Sequence, residues 1–207
     1  MTRQAQSDNC KADPQHFLLP DAAITLWPAW LSASETMLLQ TKLTAELNWR
    51  QEQIRIYGKT VKIPRRQVWM GEPHCSYQYS GVRFAPEPWH PALQPLAVKI
   101  SELAGCPFNC VLLNLYANGQ DHMGWHADNE PELGETPVIA SLSLGATRRF
   151  DLKHRTSGHQ LQLQLENGSL LTMAGQCQQY WQHRLPKQSR VAAARLNLTF
   201  RYIKPPA

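Results

Sequence analysis

His126 and Asp128 stand two residues apart in the stretch Gly124-Trp125-His126-Ala127-Asp128-Asn129-Glu130. In an extended strand, side chains two apart point to the same face, so the pair delivers an imidazole and a carboxylate to one point. Alone, a His-x-Asp pair is a weak signal that chance produces often. A metal there needs a third ligand, and His154, His159 and His183 lie downstream. His183 is the strongest of these, because it sits near the end of a strand-like run, Tyr180-Trp181-Gln182-His183, shortly before a second array of polar groups. His122 falls in the turn-rich loop after Asn118-Gly119 and is assigned a loop role, while His74, His90, His154 and His159 read as solvated or satisfied by backbone.

The second array is the run from Arg195 to Arg201, where Arg195, Asn197, Thr199 and Arg201 alternate with Leu196, Leu198, Phe200 and then Tyr202. Two guanidiniums turned inward are costly unless an anion pairs with them. Arginine makes planar two-point contacts with carboxylates, so a short diacid meets the demand. The competing reading turns this face to water, where it needs no ligand. Upstream, Asn114 and Tyr116 share a face in the same manner. Two histidines and a carboxylate on a metal with open positions are the ligand set of non-heme iron(II) oxygenases, and a diacid co-substrate explains the arginines. A zinc hydrolase would use the same three ligands but has no need of Arg195 and Arg201.

These residues must be positioned by strands. From Cys110 onward apolar residues recur every second position in short runs, broken by turn signals at Asn118-Gly119, Gly145, Ser157-Gly158 and Asn167-Gly168. That pattern predicts an antiparallel barrel or jelly roll over about 108–204. Ser32 and Glu35 have the form of a capping box opening a helix over about 33–48. A second helix follows Pro91 and closes at Gly105. The fold class is α+β, a double-stranded β-helix with N-terminal helices packed outside it. Residues 1–15 read as a loose arm, and 16–207 as one domain.

Between the helices lies a basic, aromatic segment over about 50–90. Arg50, Arg55, Lys59, Lys62, Arg65 and Arg66 face one acid, Glu52, and are followed by Trp69, Tyr77, Tyr79, Phe84 and Trp89. Cations for phosphates beside aromatics for bases are the ingredients of single-strand nucleic-acid binding. A solvated hairpin with core aromatics is the plainer alternative. The net charge of +5 suits an anionic partner. Five scattered cysteines do not form a disulfide framework and point to a reducing compartment, and no apolar run is long enough for a membrane span. The expected location is the cytoplasm, with the nucleus added for a eukaryotic source.

The runs around Asn114 to Glu130, Pro137 to His154, Tyr180 to Lys187 and Arg195 to Arg201 resemble the AlkB family of iron(II) and 2-oxoglutarate-dependent dioxygenases, over about residues 64–203. The resemblance is closest to the animal AlkB homologues acting on methylated DNA and RNA. It implies that His126, Asp128 and His183 ligate Fe(II), and that Asn114 and Tyr116 hydrogen-bond the 2-oxoglutarate carboxylates. It places Arg195 at the distal carboxylate, Arg201 near the keto-acid end and Asn197 between them. The family's damaged base stacks on the first metal-binding histidine, here His126, and on an aromatic from the preceding segment, with Trp69, Tyr77 and Tyr79 as candidates. Many relatives carry an acid after the metal-binding Asp, where this chain has Asn129; Asn129 and Glu130 are both candidates for reading the base edge, with more of that work falling to Glu130. The implied reaction consumes O2 and 2-oxoglutarate, releases succinate, CO2 and formaldehyde, and demethylates 1-methyladenine and 3-methylcytosine. Such a base must be single-stranded or flipped out of a duplex. The enzyme would act as a monomer, and a modified transfer RNA, a protein substrate or a nucleic-acid-binding module without turnover are the alternatives.

Overall fold

A computed structural model describes residues 13–56, 59–79 and 82–205, and the side chains of these except within 54–59 and 77–84. Most of the expected arm, residues 1–12, lies outside the described residues. In chain order the elements are β1 (Gln15–Leu19), β2 (Ala22–Trp27), α1 (Ala33–Glu46), β3 (Gln53–Ile56), β4 (Lys59–Lys62), β5 (Arg66–Gly71), β6 (Tyr77–Tyr79) and β7 (Val82–Phe84). Then come α2 (Gln94–Ala104), β8 (Cys110–Tyr116), β9 (Met123–His126), β10 (Ile139–Gly145), β11 (Arg148–His154), β12 (Gln160–Leu165), β13 (Leu170–Gly175), α3 (Cys177–Tyr180), β14 (Trp181–Leu185) and β15 (Arg195–Arg201).

The strands build a seven-stranded major sheet, β1-β2-β13-β10-β15-β8-β5, and a four-stranded minor sheet, β12-β11-β14-β9. This is the expected jelly roll, but its bounds are wider than 108–204. The hairpin β1–β2 and strand β5 complete the major sheet, pairing with β13 and β8 respectively. The hairpin went unforeseen because Phe17 to Leu19 and Ala22 to Trp27 mix apolar residues on both faces. Its turn is marked only by Pro20 and by Asp21, at φ 60°.

Period-two patterning sorts β15 onto two surfaces. Leu196, Leu198 and Phe200 are fully buried against the helix layer, where α1 contributes Leu43 and α2 contributes Leu96, Ala97 and Ile100. Burying each such side chain is worth about 1.5–3 kcal/mol, which pins the register. The alternate residues Arg195, Asn197, Thr199 and Arg201 consequently face the space between the sheets. Ser32 caps α1 as its sequence predicts: its Oγ accepts from the Glu35 N–H at 3.3 Å, and Glu35 accepts from the Ser32 N–H at 2.8 Å. α2 ends at Gly105 in the left-handed conformation, φ 66°. Among the described residues no helix is long and apolar enough to cross a membrane.

Candidate active site

The two sheets enclose a cavity of about 390 Å³ lined by residues from both. β9 and β14 lie side by side in the minor sheet and place His126 directly opposite His183. Their rings meet edge to face at 4.2 Å between centroids. Asp128, just past the end of β9, brings Oδ1 to 4.0 Å from His126 Nε2. One ligand atom from each of the three lies within 4.8 Å of the others. The Nδ1 of His126 lies 2.9 Å from the Gly124 carbonyl, which can only accept, so Nδ1 carries the proton and the Nε2 lone pair is left for a metal.

The protonation states suit a cation. Burial pushes the Asp128 carboxyl up, but Arg201, His183 and His126 together outweigh it and hold it at about 2. Burial, reinforced by His126, takes His183 down to about 3, so the ring is neutral in the folded chain. The sign for His183 is that of a depressed base: below 6.5 the unfolded chain binds a proton that the folded chain refuses. Metal-free protein is therefore expected to lose stability steadily as pH falls from 6.5 toward 3, by a few kcal/mol. Thermal unfolding across that window checks it, and a flat profile would contradict it.

β15 and β8 pair with Arg195 opposite Tyr116 and Asn197 opposite Asn114, so one cavity wall carries the whole polar set. Arg195 is fully buried. It gives one bond, to Ser143 Oγ at 2.9 Å, lies with its guanidinium 5.6 Å from the Tyr116 ring, and leaves Nε without a partner. Burial draws its pKa down to about 10. Arg201 bonds Asp128 Oδ1 at 3.0 Å, and its Nε is also unpartnered. Asn197 gives its amide to Ser141 Oγ and the Leu142 carbonyl. Two buried guanidiniums each with an idle N–H, beside three clustered ligands, fit a dicarboxylate next to an iron ion; that is the test those residues pass.

The other expected site residues divide. Trp69 lines the cavity, anchored by Nε1 donating to the Cys75 carbonyl at 2.8 Å. Glu130 lines it as well, its carboxyl pushed up by burial and its Oε2 unpartnered. Asn129 is exposed and is not among the cavity-lining residues, so it does not read a base from this position. Arg65 corrects the phosphate cluster. It is buried in the cavity wall, where Nε donates to Asn114 Oδ1 at 3.0 Å, and a buried side chain cannot meet a phosphate backbone. Arg50, Lys62 and Arg66 are exposed, and Arg50 pairs with Glu87 at 3.3 Å. The side chains of Arg55, Lys59, Tyr77 and Tyr79 lie outside the described residues. His122 sits in the loop before β9. His154 takes the Ser157 N–H at 3.0 Å, as expected of a backbone-satisfied ring, but its Nε2 also meets Asp21 at 3.1 Å.

Sequence reasoning missed Gln67, which with Arg65 donates to Asn114 Oδ1, at 2.8 Å. With Oδ1 doubly taken, the Asn114 amide group is turned to offer N–H donors to the cavity. It also missed Ser141 and Ser143 of β10, visible only as polar alternates in an apolar run. Arg148 is fully buried and bonds the carbonyls of Asn118, Asp121 and Pro186, tying together loops beside Tyr116.

A jelly roll holding two histidines and a carboxylate, with buried arginines ready for a diacid, is the architecture of an iron(II) and 2-oxoglutarate-dependent oxygenase. The model of the 2OG-Fe(II) oxygenase superfamily matches residues 23–201. The chain belongs to that superfamily, in its AlkB branch. It is 38% identical over 192 residues to human alpha-ketoglutarate-dependent dioxygenase alkB homolog 3, covering 88% of this chain and 66% of that protein. It is 40% identical over 160 residues to mouse DNA oxidative demethylase ALKBH2, covering 73% of this chain and 67% of that protein. The chain thus spans about two thirds of the length of these relatives. Among solved structures, OsALKBH1 superposes with TM-score 0.62 at 16% identity, over 90% of this chain and 100% of that one. A Pseudomonas putida prolyl-4-hydroxylase does so with TM-score 0.59 at 14% identity, over 88% and 93%. Both likenesses concern the fold.

Proposed function

We propose that the chain oxidatively demethylates N-alkylated nucleobases, 1-methyladenine and 3-methylcytosine foremost, in DNA or RNA. The observation that carries this is a single cavity in which a His-Asp-His cluster adjoins two buried arginines and an aromatic wall. Bound Fe(II), O2 and 2-oxoglutarate supply the oxidation of an N-methyl group, with succinate, CO2 and formaldehyde as products. The chain's residues do the rest. His126, Asp128 and His183 hold the metal, while Arg195, Asn197, Tyr116, Asn114 and Arg201 bind and orient the diacid. Trp69 and the part-exposed face of His126 flank the base, Glu130 meets its polar edge, and the enclosing sheets exclude water.

The cavity lies between the two sheets, and we take the base to enter it alone, from a single strand or flipped from a duplex. The name of the ALKBH2 relative, a DNA oxidative demethylase, supports a nucleic-acid substrate for this chain too. The exposed cations Lys62, Arg66 and Arg50, the last paired with Glu87, are the side chains we assign to phosphate contacts. We take the enzyme to act as a monomer in the cytoplasm, a location its free thiols Cys75, Cys106, Cys110 and Cys177 suit. The test is coupling. Succinate formation by the iron-loaded protein is expected to rise at least tenfold with a 1-methyladenine oligonucleotide and to stay at its basal rate with the unmethylated one. Equal rates with both would reject a methylated nucleobase as substrate.

A further inference from the structure

Asp128 lies beyond β9 in backbone that belongs to no strand, so sheet pairing does not fix it. Its N–H is instead held by Gln178 Oε1 at 3.0 Å, a contact spanning fifty residues of chain. Gln178 is 1% exposed and sits on α3, its Nε2 turned to Met173 Sδ at 3.8 Å. Its side chain thus has one strong acceptor role, and Asp128 fills it.

A second contact works on the opposite face of the minor sheet. Trp125, next to His126, has its ring approached by Arg184 at 4.5 Å and by Lys153 at 4.4 Å. Arg184 follows His183, and it is fixed by Asp151 at 2.8 Å, which Arg149 also grips at 3.0 Å. So the neighbour of one histidine is bound to the neighbour of the other. The ladder beneath them is thin: β9 and β14 register at His183 opposite His126 and at Leu185 opposite Met123, with a shift between. A shifted ladder leaves each strand some freedom to slide and roll, and a metal site tolerates little of it.

We infer that Gln178 and the Trp125–Arg184 pair are positioning residues, which hold Asp128 and His126 in ligating register with His183 before the metal binds. Residues 178–184 then carry one ligand, His183, and the anchors of the other two. The inference rests on the metal-site reading above. Outer groups that orient metal ligands commonly change affinity by 10–100-fold when removed, because the ligands must be reordered at the expense of binding.

The experiment is Mn(II) titration of the full chain without 2-oxoglutarate or substrate, with free Mn(II) read by electron paramagnetic resonance. Gln178→Met keeps the shape and removes the acceptor, and is expected to weaken Mn(II) binding by about 10–100-fold. Gln178→Glu restores an acceptor oxygen and is expected to recover most of the affinity. Trp125→Leu is expected to weaken binding by several-fold to about tenfold, while Trp125→Phe, which keeps a ring for Arg184 and Lys153, stays near wild type. A merely structural role would lower the melting temperature of the metal-free variants and leave the Mn(II) dissociation constant where it was. Unchanged affinity in folded Gln178→Met and Trp125→Leu overturns the inference. If Gln178→Met fails to fold, the two Trp125 variants decide alone. Wild-type affinity in His126→Ala would be a different failure, that of the metal site itself.

Discussion

Asp128→Ala is expected to abolish metal-dependent turnover and also to destabilise the metal-free fold by about 3 kcal/mol, the cost of stranding a buried charge. Asp128 is both a proposed metal ligand and the anion that neutralises Arg201, whose side chain is 12% exposed and bonded to it at 3.0 Å. His126→Ala removes a ligand too, but that side chain is 28% exposed and carries no buried ion pair of comparable closeness. The two variants should therefore be equally dead and unequally stable. Chemical denaturation of both, set beside their succinate production, checks this. Retained succinate production in either variant would contradict the metal assignment, and equal stabilities would contradict the role given to the Arg201 pair.

Arg195→Met is expected to raise the 2-oxoglutarate concentration needed for half-maximal turnover by about 100-fold or more, roughly 2.7 kcal/mol of lost binding. The same change should leave the metal-free protein as stable as wild type or more so. Arg195 is buried with an idle Nε, no carboxylate partner among the described residues and a pKa drawn down to about 10 by burial. Its charge is a burden until an anion arrives, and an apolar side chain of similar length removes that burden. Binding and stability should thus move in opposite directions. Steady-state titration of 2-oxoglutarate and a melting curve suffice, and an unchanged requirement would remove the diacid from the site.

Much of this arrangement was legible in the chain itself. The alternation of Arg195, Asn197, Thr199 and Arg201 with Leu196, Leu198 and Phe200 is a period-two signal too regular to misplace, and burial of the leucines turned the polar set inward. His126, Asp128 and His183 were separable from the other histidines because the latter lie in loops or beside local partners. What sequence could not show is which cation goes where. Arg65 belongs to a run of basic residues and looks like its neighbours, yet β5 pairs with β8 so as to bring it onto Asn114. Gln178 carries no periodic or motif signal, and its role depends on a backbone N–H fifty residues away. Asn129 misled for the opposite reason: its position, where many relatives carry an acid, made it a candidate for the base edge, while its side chain is exposed and outside the cavity lining.

If this cavity takes the methyl group off a nucleobase, the nucleic acid itself records it. The most direct measurement is the mass of a single-stranded oligonucleotide carrying one 1-methyladenine or 3-methylcytosine, followed after incubation with the iron-loaded protein, O2 and 2-oxoglutarate, with formaldehyde read in the same sample. The oligonucleotide is expected to lose one methylene in mass, with one formaldehyde per strand, and to show neither change without 2-oxoglutarate or with the His126→Ala variant. Succinate formed while both methylated strands keep their mass would contradict it, and would point to a protein or another modified nucleic acid as the substrate.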